Sequence, residues 1–201
     1  EILNLSNEFV VAALSKEKFL GIENSKDISG NTIKFREDVI LLDPRDKELG
    51  ARLIINLEKL YLSLKKLELK SSDVERYYFH SHKLGIAQRG TKHLQNKIFG
   101  IECNFEELNG IDFKKGCYVG QENTARIKLK EKLNKRLFAI EILDGKIEED
   151  LIFYKNIEIG KLLIKNNNLF GIIKYRYDKF SFENEFTCGK AKIKINKPKW
   201  I

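Results

Sequence analysis

The chain has 201 residues, 42% hydrophobic and 33% charged, with a formal net charge of +8. That size and balance fit a soluble globular chain of one or two domains. No apolar run is long enough to span a membrane, and Glu1-Ile2-Leu3-Asn4 lacks the basic and apolar regions of a signal peptide. Three cysteines, Cys103, Cys117 and Cys188, are an odd number without Cys-x-x-Cys spacing. They argue for reduced thiols in a cytoplasm and against a disulfide scaffold or a structural zinc.

In chain order, Phe9 to Leu14 is an apolar run that reads as a strand, and Ser15 to Leu20 as a helical turn ending at Gly21. Thr32 to Phe35 alternates and Val39 to Leu42 is continuously apolar; both read as strands. Asp43-Pro44-Arg45-Asp46 is a turn, and a further strand starts at Gly50. Leu57 to Leu69 reads as a helix. A second helix runs from Val74 to Leu84, capped by Ser72-Asp73 and stopped by Gly85. His80 and His82 point to different helix faces, so shared metal ligation is not expected; with His93 they read as surface histidines. Gly90 to Ile98 is a polar connector, and Lys128 to Asn134 a charged one. Lys135 to Ile142 starts a second region, and short strand candidates follow at 151–154, 157–159, 161–164, 169–177, 186–188 and 191–195. Glycines and an Asn166-Asn167-Asn168 turn separate them, a pattern that predicts a small antiparallel barrel or sandwich.

The densest chemistry lies between these halves, at Asp112-Phe113-Lys114-Lys115-Gly116-Cys117-Tyr118-Val119-Gly120-Gln121-Glu122. Gly116 allows backbone angles closed to other residues and a close approach to a ligand. Gln121 to Arg126 reads as a helix with an acid, Glu122, in its first turn. Cys117 stands near that helix N-terminus and two residues from Lys115, and both features lower a thiol pKa. The other reading of Cys117, a small buried hydrophobe, stays open on these residues alone. From Asp112 to Arg136 there are eight Lys/Arg against three Asp/Glu, a stripe that attracts anions such as phosphate or RNA.

The spacing Lys-Gly-Cys-Tyr-x-Gly-Gln-Glu over 115–122 closely resembles the signature of the YgfZ family, folate-binding relatives of the glycine-cleavage T-protein that serve iron–sulfur enzymes. Asp43-Pro44-Arg45 with Leu49-Gly50-x-Arg52, Phe99-Gly100-Ile101-Glu102, Lys135-Arg136 and the closing Pro198-Lys199-Trp200 are similar to other segments of that family, in order, from about Val39 to Trp200. The chain departs from the pattern at 81–88, where Ser81-His82-Lys83-Leu84-Gly85-Ile86-Ala87-Gln88 replaces an Arg-Ile-x-x-Gly-Ile-Pro-Glu loop. It also has no methionine and no counterpart of the family's N-terminal segment, so we expect a fragment.

The resemblance implies an α+β chain. An aminomethyltransferase folate-binding-type α/β domain, N-terminally incomplete, would occupy 1–132, followed by a small antiparallel β-barrel at 133–201. It implies Cys117 as the functional thiol and Lys115 as the group that tunes it or binds an anion. Gly116, Tyr118, Gly120, Gln121, Glu122 and Arg126 would hold the motif. Glu102 and Arg136 would contact folate, Glu102 by a bidentate hydrogen bond to a pterin edge. The implied cofactor is tetrahydrofolate or a one-carbon derivative, with no stably bound metal. The implied partners are iron–sulfur client or assembly proteins, including tRNA-modifying enzymes, with tRNA contact and no membrane, in the cytoplasm. Two other readings remain: a folate-dependent aminomethyltransferase, and a basic RNA-binding module that uses Tyr118, Tyr175 and Tyr177.

Overall fold

The structure, a computed structural model, describes residues 2–35, 38–129 and 133–201. The charged connector expected at 128–134 and the expected boundary at 132/133 fall partly outside those residues. Two compact units appear, Glu1–Tyr77 and Tyr78–Ile201. The chain is α+β and ends in a closed antiparallel barrel.

In the first unit, strands β1 (Phe9–Leu14), β2 (Thr32–Phe35), β3 (Asp38–Leu42) and β4 (Ala51–Asn56) form an antiparallel sheet in the order β1-β4-β3-β2. One face is apolar. Ile40, Leu42, Leu53 and Ile55 bury there against Phe19 of helix α1 (Lys16–Leu20) and Leu60 of helix α2 (Leu57–Lys66). Local chemistry sets the helix starts. The Ser15 side chain accepts from Lys18 N at the start of α1, and Asn56 accepts from Glu58 N at the start of α2. Asp43 is buried beyond β3. Its carboxylate accepts from Arg45 Nε at 2.9 Å and Nη2 at 2.6 Å, and from Arg52 Nε at 3.2 Å. Arg52 also bonds Tyr77 and lies over its ring. Burial alone would raise the Asp43 pKa, but Arg45 and Arg52 together hold it below the ordinary carboxylate value. The Asp-Pro-Arg…Gly-x-Arg segment thus ties a turn to a strand.

In the second unit, β5 (Lys135–Asp144), β6 (Leu151–Tyr154), β7 (Ile157–Ile164), β8 (Leu169–Lys174), β9 (Phe186–Cys188) and β10 (Ala191–Ile195) close as β10-β5-β8-β7-β6-β9. The two strands expected at 157–159 and 161–164 are one. Gly160 sits within β7 because a Cβ there would stand 2.3 Å from the Ile172 carbonyl, so it marks close strand packing and not a turn. Phe138, Ile140, Ile152, Leu162, Ile173 and Ile193 fill the interior. On the outer face, Leu137 and Ala139 of β5 are also buried, against Leu94 and Ile98. Burial on both faces explains why β5 reads as a continuous apolar run.

Helix α3 (Val74–Lys83), started by Asp73 accepting from Glu75 N, corrects one expectation. His80 and His93 are exposed, but His82 is buried. Its Nε2–H donates to the Leu169 carbonyl at 3.0 Å, and its ring meets Phe170 edge-on. Burial lowers its pKa from 6.5, outweighing the carbonyls of Leu169 and Ile140 that favour the proton. The unfolded chain therefore takes up this proton first. The stability associated with neutral His82 is complete above pH 6.5 and is lost as pH falls through the lower folded value. Urea midpoints followed by Trp200 fluorescence should drop between pH 7.5 and pH 5. In His82→Gln that drop should shrink; an unchanged slope would mean that other groups carry it.

Candidate functional site

The signature grows from a loop pinned to the barrel. The Glu102 carbonyl accepts from Leu137 N at 2.8 Å. Asn104, buried with φ 63°, donates from Nδ2 to the Leu137 carbonyl at 2.9 Å. Gly110 N and Ile111 N then bond the Phe105 carbonyl, which folds residues 105–111 into a compact turn. From Asp112 to Gly120 every residue is exposed. Asp112 Oδ1 accepts from Lys114 N at 2.8 Å, a local turn that starts the motif.

Helix α4 (Gln121–Leu129) follows. Its start is clasped twice: Gln121 N donates to the Tyr118 carbonyl at 3.2 Å, and Tyr118 N donates to Gln121 Oε1 at 3.0 Å. This is a turn with Gly120 at its third position and φ 84°, a conformation that favours glycine. The far end is held by Lys128, whose Nζ bonds both oxygens of Glu106 at 2.6 and 2.7 Å and lies over Phe113. No residue of α4 is buried.

Cys117, Tyr118, Gln121, Glu122, Ala125, Arg126 and Leu129 line an open groove of about 550 Å³. Five residues singled out from the sequence therefore meet in one place. Lys115 lies beside them, with its ammonium 4.8 Å from the centre of the Tyr118 ring. Glu122 pairs with Arg126 one turn on, at 3.5 Å. Cys117 is exposed, so of its two readings the structure favours the accessible thiol over the buried hydrophobe. Cys188 is buried and Cys103 partly so, and burial pushes both thiols up to about 11. Of the three cysteines, Cys117 is the exposed one. Ala125 and Leu129 were missed, although their spacing from Gln121 already puts them on one helical stripe.

Gly116 does not use the freedom expected of it: its φ lies outside the left-handed region, and a Cβ there would meet nothing within 4 Å. Glu102 and Arg136 do not line the groove. Glu102 Oε2 accepts from Phe99 N at 2.9 Å, capping a turn. Arg136 is buried, with Nη2 on Glu107 Oε1 at 2.5 Å and Nη1 on Asn104 Oδ1 at 3.0 Å. Both folate-contact candidates make hydrogen bonds within the fold. Among the described residues, no three His, Cys, Asp or Glu side chains gather as a metal-ligand set, and no helix is long and apolar enough to cross a membrane.

No protein-family model matches the chain. Curated relatives do. A Dictyostelium discoideum protein named iron–sulfur cluster assembly factor IBA57 homolog, mitochondrial, is 34% identical over 102 residues, 50% of this chain and 25% of that protein. The Neurospora crassa protein of the same name is 34% identical over 95 residues, covering 47% of this chain and 21% of its own length. Human iron–sulfur cluster assembly factor IBA57, mitochondrial, is 33% identical over 107 residues, 53% of this chain and 29% of that protein. The chain is therefore similar, over about half of its length, to proteins named as iron–sulfur cluster assembly factors, and it spans less than a third of each of these three.

Proposed function

We propose that this chain takes part in iron–sulfur cluster assembly, with Cys117 as its working thiol. The observation that carries the reading is the exposed Cys117 at the mouth of the α4 groove, in a chain whose relatives bear that function in their names. An accessible thiol can meet an assembly partner or a cluster in transit, whereas one protein thiolate cannot hold a cluster alone. The cluster is cargo here, and the clients include tRNA-modifying enzymes. Lys115 holds positive charge and Tyr118 an aromatic wall beside the thiol. Gln121 fixes the turn that presents it, and Glu122 and Arg126 form the polar wall of the groove. The relatives are named as mitochondrial; a mitochondrial matrix satisfies the argument for reduced cysteines as well as a cytoplasm does.

Tetrahydrofolate belongs to this proposal as a ligand that would need the Glu102 carboxylate to turn from Phe99. No step of the thiol's work is assigned to it.

In a cell lacking the native protein, Cys117→Ala and Cys117→Ser should lower iron–sulfur enzyme activity roughly tenfold or more while the protein accumulates normally. Full support by Cys117→Ala would remove the thiol from the mechanism. In calorimetry with tetrahydrofolate, binding lost in Glu102→Ala and kept in Cys117→Ala would separate the ligand site from the thiol.

A further inference from the structure

Helix α4 carries most of the groove, yet its nine residues are too few to hold a helix in water by themselves. Isolated helices shorter than about 12–15 residues are marginal, and helices in proteins are held mostly by packing. No residue of α4 is buried; Gln121, Thr124, Ala125 and Ile127 are half-buried. Asn123 and Thr124 in its first half are weak helix formers. The Glu122–Arg126 pair joins one turn of α4 to the next and leaves its orientation free. The pose of α4 therefore depends on side-chain anchors to its surroundings.

One anchor leads to the barrel. Lys128, in the last turn, donates from Nζ to Glu106 Oε1 at 2.6 Å and to Oε2 at 2.7 Å. Its ammonium also lies 5.5 Å from the centre of the Phe113 ring. Glu106 has little freedom of its own. Asn104, two residues before it, donates to the Leu137 carbonyl and accepts from Arg136 Nη1. Glu107, the next residue, holds Arg136 Nη2 at 2.5 Å. Both are thus tied to β5, and Glu106 sits between them. The Glu106–Lys128 pair joins residues 22 apart and closes a loop around the whole signature, with Cys117 midway.

We propose that Glu106 and Lys128 are positioning residues: their ion pair sets the pose of α4, and through it the groove wall beside Cys117. This rests on the reading of Cys117 as the working thiol. Neither residue lines the groove, so the pair acts through the helix. Its modest strength fits that task. An exposed ion pair adds little to global stability. On a short helix at the margin, the same small contribution decides how often the helix opens. Side-chain exposures of 49% and 29% also leave the pair open to screening by salt.

Amide hydrogen exchange of the whole chain reads the opening of α4. In Glu106→Gln and in Lys128→Gln, amides of 121–129 should exchange roughly fivefold faster, while barrel amides keep the parent rates. Glu106→Lys combined with Lys128→Glu restores the attraction with its signs reversed and should recover most of the loss. Recovery stops short of complete because an acid in the last turn opposes the helix dipole. Lys165→Gln is the control. It breaks a comparably exposed pair, Lys165 with Asp150 on the barrel, and should leave α4 exchange unchanged. Added salt should speed α4 exchange in the parent but not in Glu106→Gln.

In a cell lacking the native protein, both single variants should support iron–sulfur enzymes several-fold less well, and the reversed pair better than either. The shared direction separates positioning from charge. Lys128→Gln removes a positive charge and Glu106→Gln a negative one, so an effect through the field at Cys117 would have opposite signs. Unchanged α4 exchange in either single variant, or a reversed pair as loose as the singles, overturns the proposal. So does full support by both singles where Cys117→Ala fails, an outcome that leaves the thiol reading standing. Full support by Cys117→Ala overturns both, since no thiol would then need positioning.

Discussion

Gly50→Ala should destabilise the chain by about 4 kcal/mol or more, which for a small domain removes much of its stability. Gly50 has φ 81° and ψ −158°, a backbone region open essentially to glycine alone. Any other residue there costs about 1–3 kcal/mol in strain. A Cβ at this position would also stand 2.2 Å from the Leu14 carbonyl oxygen and 3.3 Å from Lys16 N. Both are backbone atoms, so no rotamer change relieves the contact. Leu14 is the residue paired with Ala51 in the β1–β4 ladder, and the Gly50 carbonyl accepts from Asp43 N at 2.9 Å. Relief would therefore come from opening that ladder or from shifting the buried carboxylate held by Arg45 and Arg52. Gly116→Ala is the control, since its Cβ meets nothing. Its stability should stay within about 0.5 kcal/mol of the parent. Urea melts followed by far-UV circular dichroism measure both, and a loss below about 1 kcal/mol for Gly50→Ala would disprove the clash. Gly116→Ala also bears on function. A stable variant that fails to support iron–sulfur enzymes would place the need for glycine in the approach of another molecule to Cys117.

The barrel was legible because its strands alternate and its turns carry glycine and asparagine. Lys190 to Ile195 shows this most clearly: β10 buries Ala191, Ile193 and Ile195 and exposes the lysines between them. The helix positions were also legible, and Asp73 caps α3 as expected, while Ser15 and Asn56 cap α1 and α2 without having been singled out. What escaped was set by contacts distant in sequence. His82 looks like any polar helix residue, and only β8, 87 residues on, makes it a buried donor. The resemblance implied a folate contact for Arg136, but not that Glu107 and Asn104 hold its guanidinium within the fold. The groove was half legible. Cys117, Tyr118, Gln121, Glu122 and Arg126 came from the motif, while Leu129 and the Lys128–Glu106 clasp depended on how far α4 runs and what lies beside it.

Arg136→Met should cost about 3–5 kcal/mol, and Arg136→Met with Glu107→Leu much less than the sum of the two single changes. The two side chains are only 10% and 18% exposed. Removing the guanidinium leaves the Glu107 carboxylate out of water without its cation and idles the Asn104 oxygen, whose amide nitrogen still holds β5. An uncompensated buried charge is the expensive state. The native pair is itself imperfect. Arg136 Nε and Glu107 Oε2 are buried without a hydrogen-bond partner. Replacing both residues by apolar ones removes those unsatisfied atoms along with the charges, so the double variant recovers most of the loss. At about 2–4 °C per kcal/mol for a chain of this size, the single change lowers the Tm by about 10 °C. Trp200 fluorescence reads that transition. Costs that simply add would show that the pair is not coupled. The double variant also tests the folate assignment of Arg136. If Arg136 only supports the β5 loop, a refolded double variant keeps whatever tetrahydrofolate affinity the parent has. If it touches the ligand, that affinity disappears while the fold remains.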